Sequence, residues 1–198
     1  MKIAIIGFGN MGQTYANSFM SSGFVGASDI LILNKVVVEE KYSFGIDSAN
    51  FYTQPNPNIF ESDILILAVK PQDFKQLASE IKAFLNPEHV ILSVMAGISI
   101  EAMQKELGVL KIVRLMPNIP TQIGEGMTVF SASNSVDRKE LFIVQNLINT
   151  TGKSIYIEKE EMLNAATAVS GSGPAYVFYF MQAMIESAVK LGFSPSEA

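Results

Sequence analysis

"KIAIIGFGNMGQTYANSFMSSG", residues 2–23, starts with a short apolar run, crosses three glycines and continues with helical periodicity. The run 2–6 reads as a strand ended by Gly7, and Asn10 to Ser22 as a helix ended by Gly23. Gly7-Phe8-Gly9-Asn10-Met11-Gly12 fits G-x-G-x-x-G. Alone that pattern is weak; between a strand and a helix it marks a dinucleotide-binding turn. Gly7 permits the tight turn, Gly9 lets a pyrophosphate approach the backbone, and Gly12 lets helix and strand pack closely. The helix N-terminus then offers free N–H groups to the phosphates. A strand–helix turn with no ligand is the competing reading, and the context disfavours it.

Beyond Gly23, strand-like and helix-like runs alternate. The apolar runs 29–33, 63–69, 89–94, 111–116, 127–132 and 153–157 read as strands. Helices are expected near 36–44, over 71–85 with Pro71 in the first turn, over 99–108 between an N-cap Ser99 and Gly108, and over 138–150. The "TQPNPN" patch, 53–58, reads as a local loop. Continuous apolar strands mean that both sheet faces are covered, and strands separated by helices mean βαβ units. The expectation is an α/β fold, a Rossmann-type doubly wound and largely parallel sheet over 1–159, followed by a helical segment over 160–198.

Composition narrows the function. The 198 residues are 48% hydrophobic and 17% charged, enough apolar material for a substantial core. The net charge of −5 argues against a nucleic-acid binder, which needs clustered Lys and Arg. With no cysteine, disulfides, thiolate metal sites and Cys nucleophiles are excluded. The N-terminal apolar run is too short for a signal peptide, and no stretch reaches the roughly 18 uninterrupted apolar residues of a membrane span. The expectation is a cytoplasmic protein with no membrane partner. No metal cluster, Ser-His-Asp triad or acidic pair is visible, and His89, ahead of a strand, reads as a surface residue.

The end of the second strand discriminates between cofactors. An Asp or Glu there would bind the ribose 2′-hydroxyl of NAD. Here the strand ends in Asn34 and Lys35. Asn34 brings no negative charge and Lys35 can pair with a 2′-phosphate, which favours NADP(H) while leaving NAD(H) possible. An ordinary solvated lysine is the alternative for Lys35. Ligands of open α/β sheets bind outside the carboxyl ends of the strands. Three further strand ends carry Ala68, Val69, Lys70 and Pro71; Ala96 and Gly97; and Met116, Pro117 and Asn118. Small residues and prolines at successive ends suit a flat ring lying across them, although turn residues alone would look the same.

After about Glu160 the chain changes character. A short helix is expected to end on Gly171, and a second to start at Gly173 and Pro174. From Ala175 to Leu191 the strongly polar side chains are Gln182, Glu186, Ser187 and Lys190. Gln182, Glu186 and Lys190 form one narrow stripe on an otherwise apolar helix. Such a helix must be buried on several sides, and the preceding domain leaves little to enclose it. Either a following segment or another subunit must cover it, and at least a homodimer is expected.

"GFGNMG", "LAVKPQ", "AGIS", "MPNIP" and above all "TAVSGSGPAYVFYFMQAMIESAVKLGFS" resemble pyrroline-5-carboxylate reductase, the enzyme that makes proline. The resemblance covers the whole chain in order. It implies reduction of 1-pyrroline-5-carboxylate by a nicotinamide cofactor, with Asn56 joining the cofactor contacts. It implies a helical dimerisation domain joined through the 173–191 helix. Thr167, Ser170, Gly171, Ser172, Gly173 and Pro174 would then wall the active site, with 171–174 as a sharp helix–helix turn. Two departures stand out. Asn164 occupies a position where the family usually has Asp. The family also continues for several more helices, and a later Ser-Pro-Gly-Gly-Thr-Thr segment supplies much of its substrate site. This chain therefore reads as an N-terminal fragment, with the catalytic residue expected beyond Ala198. The alternatives are another NADP-dependent oxidoreductase of the β-hydroxyacid or F420-linked type, or a non-catalytic nucleotide-binding relative.

Overall fold

The computed structural model describes residues 1–39 and 43–198. Among the described residues eight strands form one sheet: β1 Ile3–Ile6, β2 Ile30–Leu33, β3 Phe51–Tyr52, β4 Ile64–Leu67, β5 Val90–Ser93, β6 Ile112–Met116, β7 Gly126–Ala132 and β8 Gly152–Tyr156. Their order is β3-β2-β1-β4-β5-β6-β7-β8. The pairs from β3 to β6 are parallel, β7 runs antiparallel to β6, and β8 lies parallel to β7.

The apolar runs form strands because both sheet faces are covered. Ile3 and Ile5 of β1 join one core with Tyr15 and Phe19 of α1 (Asn10–Ser21) and Val144 and Leu147 of α4 (Arg138–Asn149). Ala4 and Ile6 point the other way, into a core with Leu77 and Ile81 of α2 (Phe74–Ile81) and Met103 and Leu107 of α3 (Ile100–Leu107). All four residues of β1 are essentially inaccessible. At roughly 1.5–3 kcal/mol for each fully buried side chain, this central strand anchors both layers.

The expected caps appear at α3. Ser99 accepts the Ala102 amide, and Gly108 closes the helix in the left-handed conformation, φ 75°. At α4, Asp137 and Glu140 form a reciprocal capping box that the sequence reading had not named.

Four local expectations are corrected. The described part of 36–44 is not helical, and residues 40–42 lie outside the described residues. The two-residue strand β3 was missed: only pairing with β2 makes Phe51–Tyr52 a strand. The helix expected over 71–85 is split, with 3-10 turns at 71–73 and 82–84 flanking α2. His89 is buried rather than on the surface. Its Nδ1 accepts the Asn86 amide at 3.1 Å, and its Nε2 lies 2.9 Å from the Phe60 carbonyl. Those bonds satisfy an imidazole that local sequence gave no reason to bury.

The glycine-rich junction near the end of the chain is corrected too. Helix α5 (Met162–Ala166) passes into a π-helical turn over Thr167–Gly171, and α6 (Gly173–Lys190) follows after Ser172. Ser172 keeps right-handed helical angles, φ −87° and ψ −14°, and neither Gly171 nor Gly173 has positive φ. The glycines therefore widen one helical turn instead of reversing the chain. The Ser172 amide reaches the Thr167 carbonyl at 2.8 Å, the five-residue step of a π-turn.

Candidate active site

Strand register brings the predicted residues to one edge. Ile6 pairs with Leu33 on one side and with Leu67 on the other, and Leu67 pairs with Ser93. Gly7, Asn34, Ala68 and the segment leading to Ala96 therefore leave the sheet side by side. Gly7 turns there with φ 95°, its amide donating to the Leu33 carbonyl at 2.8 Å. A Cβ on Gly7 would meet the Ala68 carbonyl oxygen at 2.7 Å. On Gly12 it would collide with the Gly7 carbonyl oxygen. Both glycines are required by the backbone itself.

Gly9 differs. Its angles, φ −78° and ψ −163°, suit any residue, and a Cβ there would meet nothing within 4 Å among the described residues. Protein packing gives no reason for glycine at this point. Gly9 is also the N-cap of α1, and among the described residues no side chain caps that end. The first N–H groups of the helix are thus left for an incoming acceptor. This is the geometry that a dinucleotide pyrophosphate needs, so the residues fit the cofactor that the motif implies.

Asn34 acts on the loop directly. Its Oδ1 accepts the Phe8 amide at 3.0 Å, and its Nδ2 donates to the Val36 carbonyl at 2.8 Å. Phe8 buries its ring against Phe51 at 5.6 Å between centroids. Gln13 Nε2 donates to the Phe8 carbonyl at 2.9 Å, which further holds the loop. A cavity of about 280 Å³ opens beside it, lined by Gly7, Phe8, Gly9, Asn34, Lys35, Ala68, Val69 and Lys70 among the predicted residues. Asp73 and Glu80 also line it and were not anticipated.

The remaining predicted residues flank this cavity. Asn10, Met11 and Gly12 form the first turn of α1, and Pro71 begins the turn after Lys70. Asn56 spends its Oδ1 on the Asn58 amide, capping the 3-10 turn at 57–61. Ala96 and Gly97 stand exposed after β5. Pro117 and Asn118 follow β6, and Asn118 Oδ1 accepts the Met127 amide at 2.9 Å. Asn118 thereby ties the end of β6 to the start of β7.

The π-turn meets this edge near β6. Leu163 of α5 is fully buried with Met116 and Val129. A Cβ on Gly171 would lie 3.9 Å from Met116 Sδ and 3.8 Å from Thr167 Cγ2, ordinary contact distances that place the turn beside the end of β6. Thr167 Oγ1 donates to the Leu163 carbonyl, which absorbs its hydroxyl inside the helix. Residues 170–174 are half-buried, whereas the following helix is exposed along almost its whole length. Tyr179 is 77% and Phe180 65% exposed. Gln182 donates to Glu186 at 2.9 Å within the expected polar stripe.

A second cavity, of about 520 Å³, surrounds His89 at the opposite ends of the strands. The His89 ring is already engaged by Asn86 and Phe60, so it has no nitrogen to offer a substrate.

A glycine-loop nucleotide site on a doubly wound sheet, followed by a long uncovered apolar helix, defines a dinucleotide-dependent oxidoreductase with an added helical region. Residues 2–97 match the family described as NADP oxidoreductase, coenzyme F420-dependent, and residues 160–198 match pyrroline-5-carboxylate reductase dimerisation. The pyrroline-5-carboxylate reductase of Aquifex aeolicus is 35% identical over 100% of this chain and 72% of its own length. That of Arabidopsis thaliana is 33% identical over 96% and 69%. Among solved structures, the Coxiella burnetii reductase superposes with a TM-score of 0.86 at 29% identity, covering 98% of this chain and 73% of that one. The NADP-bound Plasmodium falciparum reductase gives 0.86 at 27% identity, covering 99% and 72%. The chain belongs to the pyrroline-5-carboxylate reductase family.

Proposed function

We propose that this protein reduces 1-pyrroline-5-carboxylate to L-proline with NADPH or NADH, as a cytoplasmic homodimer or a larger assembly of dimers. One observation carries the reading: the glycine loop at the ends of β1, β2 and β4 shares an edge with the π-turn segment that matches the reductase dimerisation region. That second element favours the reductase over the β-hydroxyacid and F420-linked alternatives. Residues 1–159 serve as the dinucleotide domain, and 160–198 begin the dimerisation region.

A nicotinamide cofactor held by the glycine loop would supply the hydride for reduction of the C=N bond, which accepts it most readily as an iminium. The chain's task is positioning. Gly9 and the first amides of α1 hold the pyrophosphate, and Asn34 keeps the Phe8 amide and the loop in register. Ala96, Gly97 and Pro117 leave a low floor for the ring at adjoining strand ends. Ser170 to Pro174 form the wall between that floor and the helix that pairs with a second subunit. Lys35 and Lys70 favour the NADP(H) side, in line with the NADP bound by the Plasmodium falciparum relative.

The test supplies 1-pyrroline-5-carboxylate and follows NADPH and NADH oxidation together with proline formation. Stoichiometric proline is the expected result. Oxidation of hydroxyacids without any proline formation would assign the site to the rival class.

A further inference from the structure

The wall beside the glycine loop carries charge of both signs. Lys35 and Lys70 line it, and so do Asp73 and Glu80. Lys35 directly follows Asn34 at the end of β2, where a 2′-phosphate would be met. Asp73 comes from elsewhere in the chain. It closes the 3-10 turn 71–73 after β4, just ahead of α2, and its Oδ1 lies 3.8 Å from Lys35 Nζ. The two side chains are 58% and 43% exposed, so both remain reachable from the open side of the cavity.

A ribose 2′-hydroxyl and a 2′-phosphate make opposite demands. The hydroxyl donates, and dinucleotide sites ordinarily meet it with a carboxylate at the end of the second strand. The phosphate is multiply charged and needs a cation, and a nearby carboxylate repels it. In this protein the second strand ends in neutral Asn34, whose oxygen already accepts the Phe8 amide. The nearby carboxylate is supplied by the crossover that follows β4.

We infer that Asp73 is a selectivity residue for the adenosine end of the cofactor. It accepts the 2′-hydroxyl of NADH, and it competes with a 2′-phosphate for Lys35. With NADH the Lys35–Asp73 pair persists; with NADPH, Lys35 exchanges Asp73 for the phosphate. The pocket therefore admits both cofactors, and Asp73 restrains the preference for NADPH that Lys35 creates. Glu80, held by Gln76 Nε2 at 2.8 Å, adds negative charge to the same wall. This inference rests on the proposed placement of the cofactor in this cavity.

The experiment measures calorimetric binding of 2′,5′-ADP and of 5′-ADP, neither of which is turned over, to wild type, Asp73→Asn and Lys35→Ala. The kcat/KM values for NADPH and NADH are measured alongside, and circular dichroism checks the fold. Asp73→Asn should raise the affinity ratio of 2′,5′-ADP to 5′-ADP by about two- to fivefold, the scale of an exposed charge pair. Lys35→Ala should lower that ratio, and both effects should shrink in high salt. A ratio that stays unchanged or falls in Asp73→Asn, while Lys35→Ala still lowers it, overturns the role of Asp73 and leaves the pocket assignment standing. If neither probe binds the wild-type protein, the pocket assignment falls and the role of Asp73 falls with it.

Discussion

Arg114 Nη1 lies 2.8 Å from Glu160 Oε1, and the same carboxylate oxygen accepts the Ile100 amide at 2.9 Å. Arg114 belongs to β6 and is buried, Ile100 starts α3, and Glu160 lies just before α5. One carboxylate thus joins the sheet, a crossover helix and the segment that leads to the π-turn. A buried guanidinium is costly without its partner, and Arg114 Nε already has no hydrogen-bond partner among the described residues.

Glu160→Ala should therefore destabilise the protein by about 2–3 kcal/mol, less than for a fully buried pair because Glu160 is partly exposed. Glu160→Gln should cost less, since an amide oxygen still accepts both donors. Urea denaturation of the three proteins checks this. A loss below about 0.5 kcal/mol for the alanine variant, the range of an ordinary surface change, would show that the pair contributes nothing to stability.

The three glycines of the loop should respond differently to a side chain. Gly9→Val faces open space and an unstrained backbone, so its melting temperature should stay within about 2 °C of wild type. Its cofactor affinity, followed by fluorescence titration, should fall by at least about tenfold, because the pyrophosphate can no longer approach. Gly12→Ala meets the Gly7 carbonyl oxygen and should lower stability instead. Wild-type affinity in Gly9→Val would remove the pyrophosphate from this loop.

Helix α6 should mediate subunit contact. Phe178, Tyr179, Phe180 and Met184 are each more than half exposed in the single chain. Covering such side chains is worth roughly 1.5–3 kcal/mol apiece, and a second copy related by a two-fold axis covers them symmetrically. Light scattering should show at least a dimer for the wild type, and monomer or aggregate for Phe178→Glu. An active, well-behaved wild-type monomer at micromolar concentration would refute the assignment.

His89 should make stability depend on pH. Burial, opposed by the smaller effect of the Phe60 carbonyl, holds its pKa below the usual value near 6.5. Below about pH 6.5 the unfolded chain binds a proton that the folded protein resists. The His89 contribution is thus complete above that pH and declines as pH falls towards the folded-state pKa. Urea midpoints between about pH 7.5 and 5 should fall more steeply for wild type than for His89→Gln. Parallel curves would mean that His89 titrates alike in both states.

Much of this protein is written locally. The strand–glycine–helix unit at residues 2–23 needs only a tight turn and an apolar run, both visible in a few adjacent residues. Ser99 and Gly108 bound α3 through backbone preferences of their own, and the apolar circumference of the 173–190 helix is plain from its spacing. Other features depend on neighbours that are distant in the chain. Phe51–Tyr52 is a strand because β2 lies beside it, and His89 is buried because the Phe60 carbonyl meets its ring. The glycines at 171 and 173 suggest a reversal, yet the chain keeps a helical course through a π-turn that lies beside Met116. Asp73 comes within reach of Lys35 only when the parallel strands β2, β1 and β4 align their ends, and Glu160 meets Arg114 only once the chain has passed through the antiparallel β7 and on to β8. Periodicity reports which way a side chain faces within its own element. The partner it meets there is set by sheet order and register, which no short stretch of chain contains.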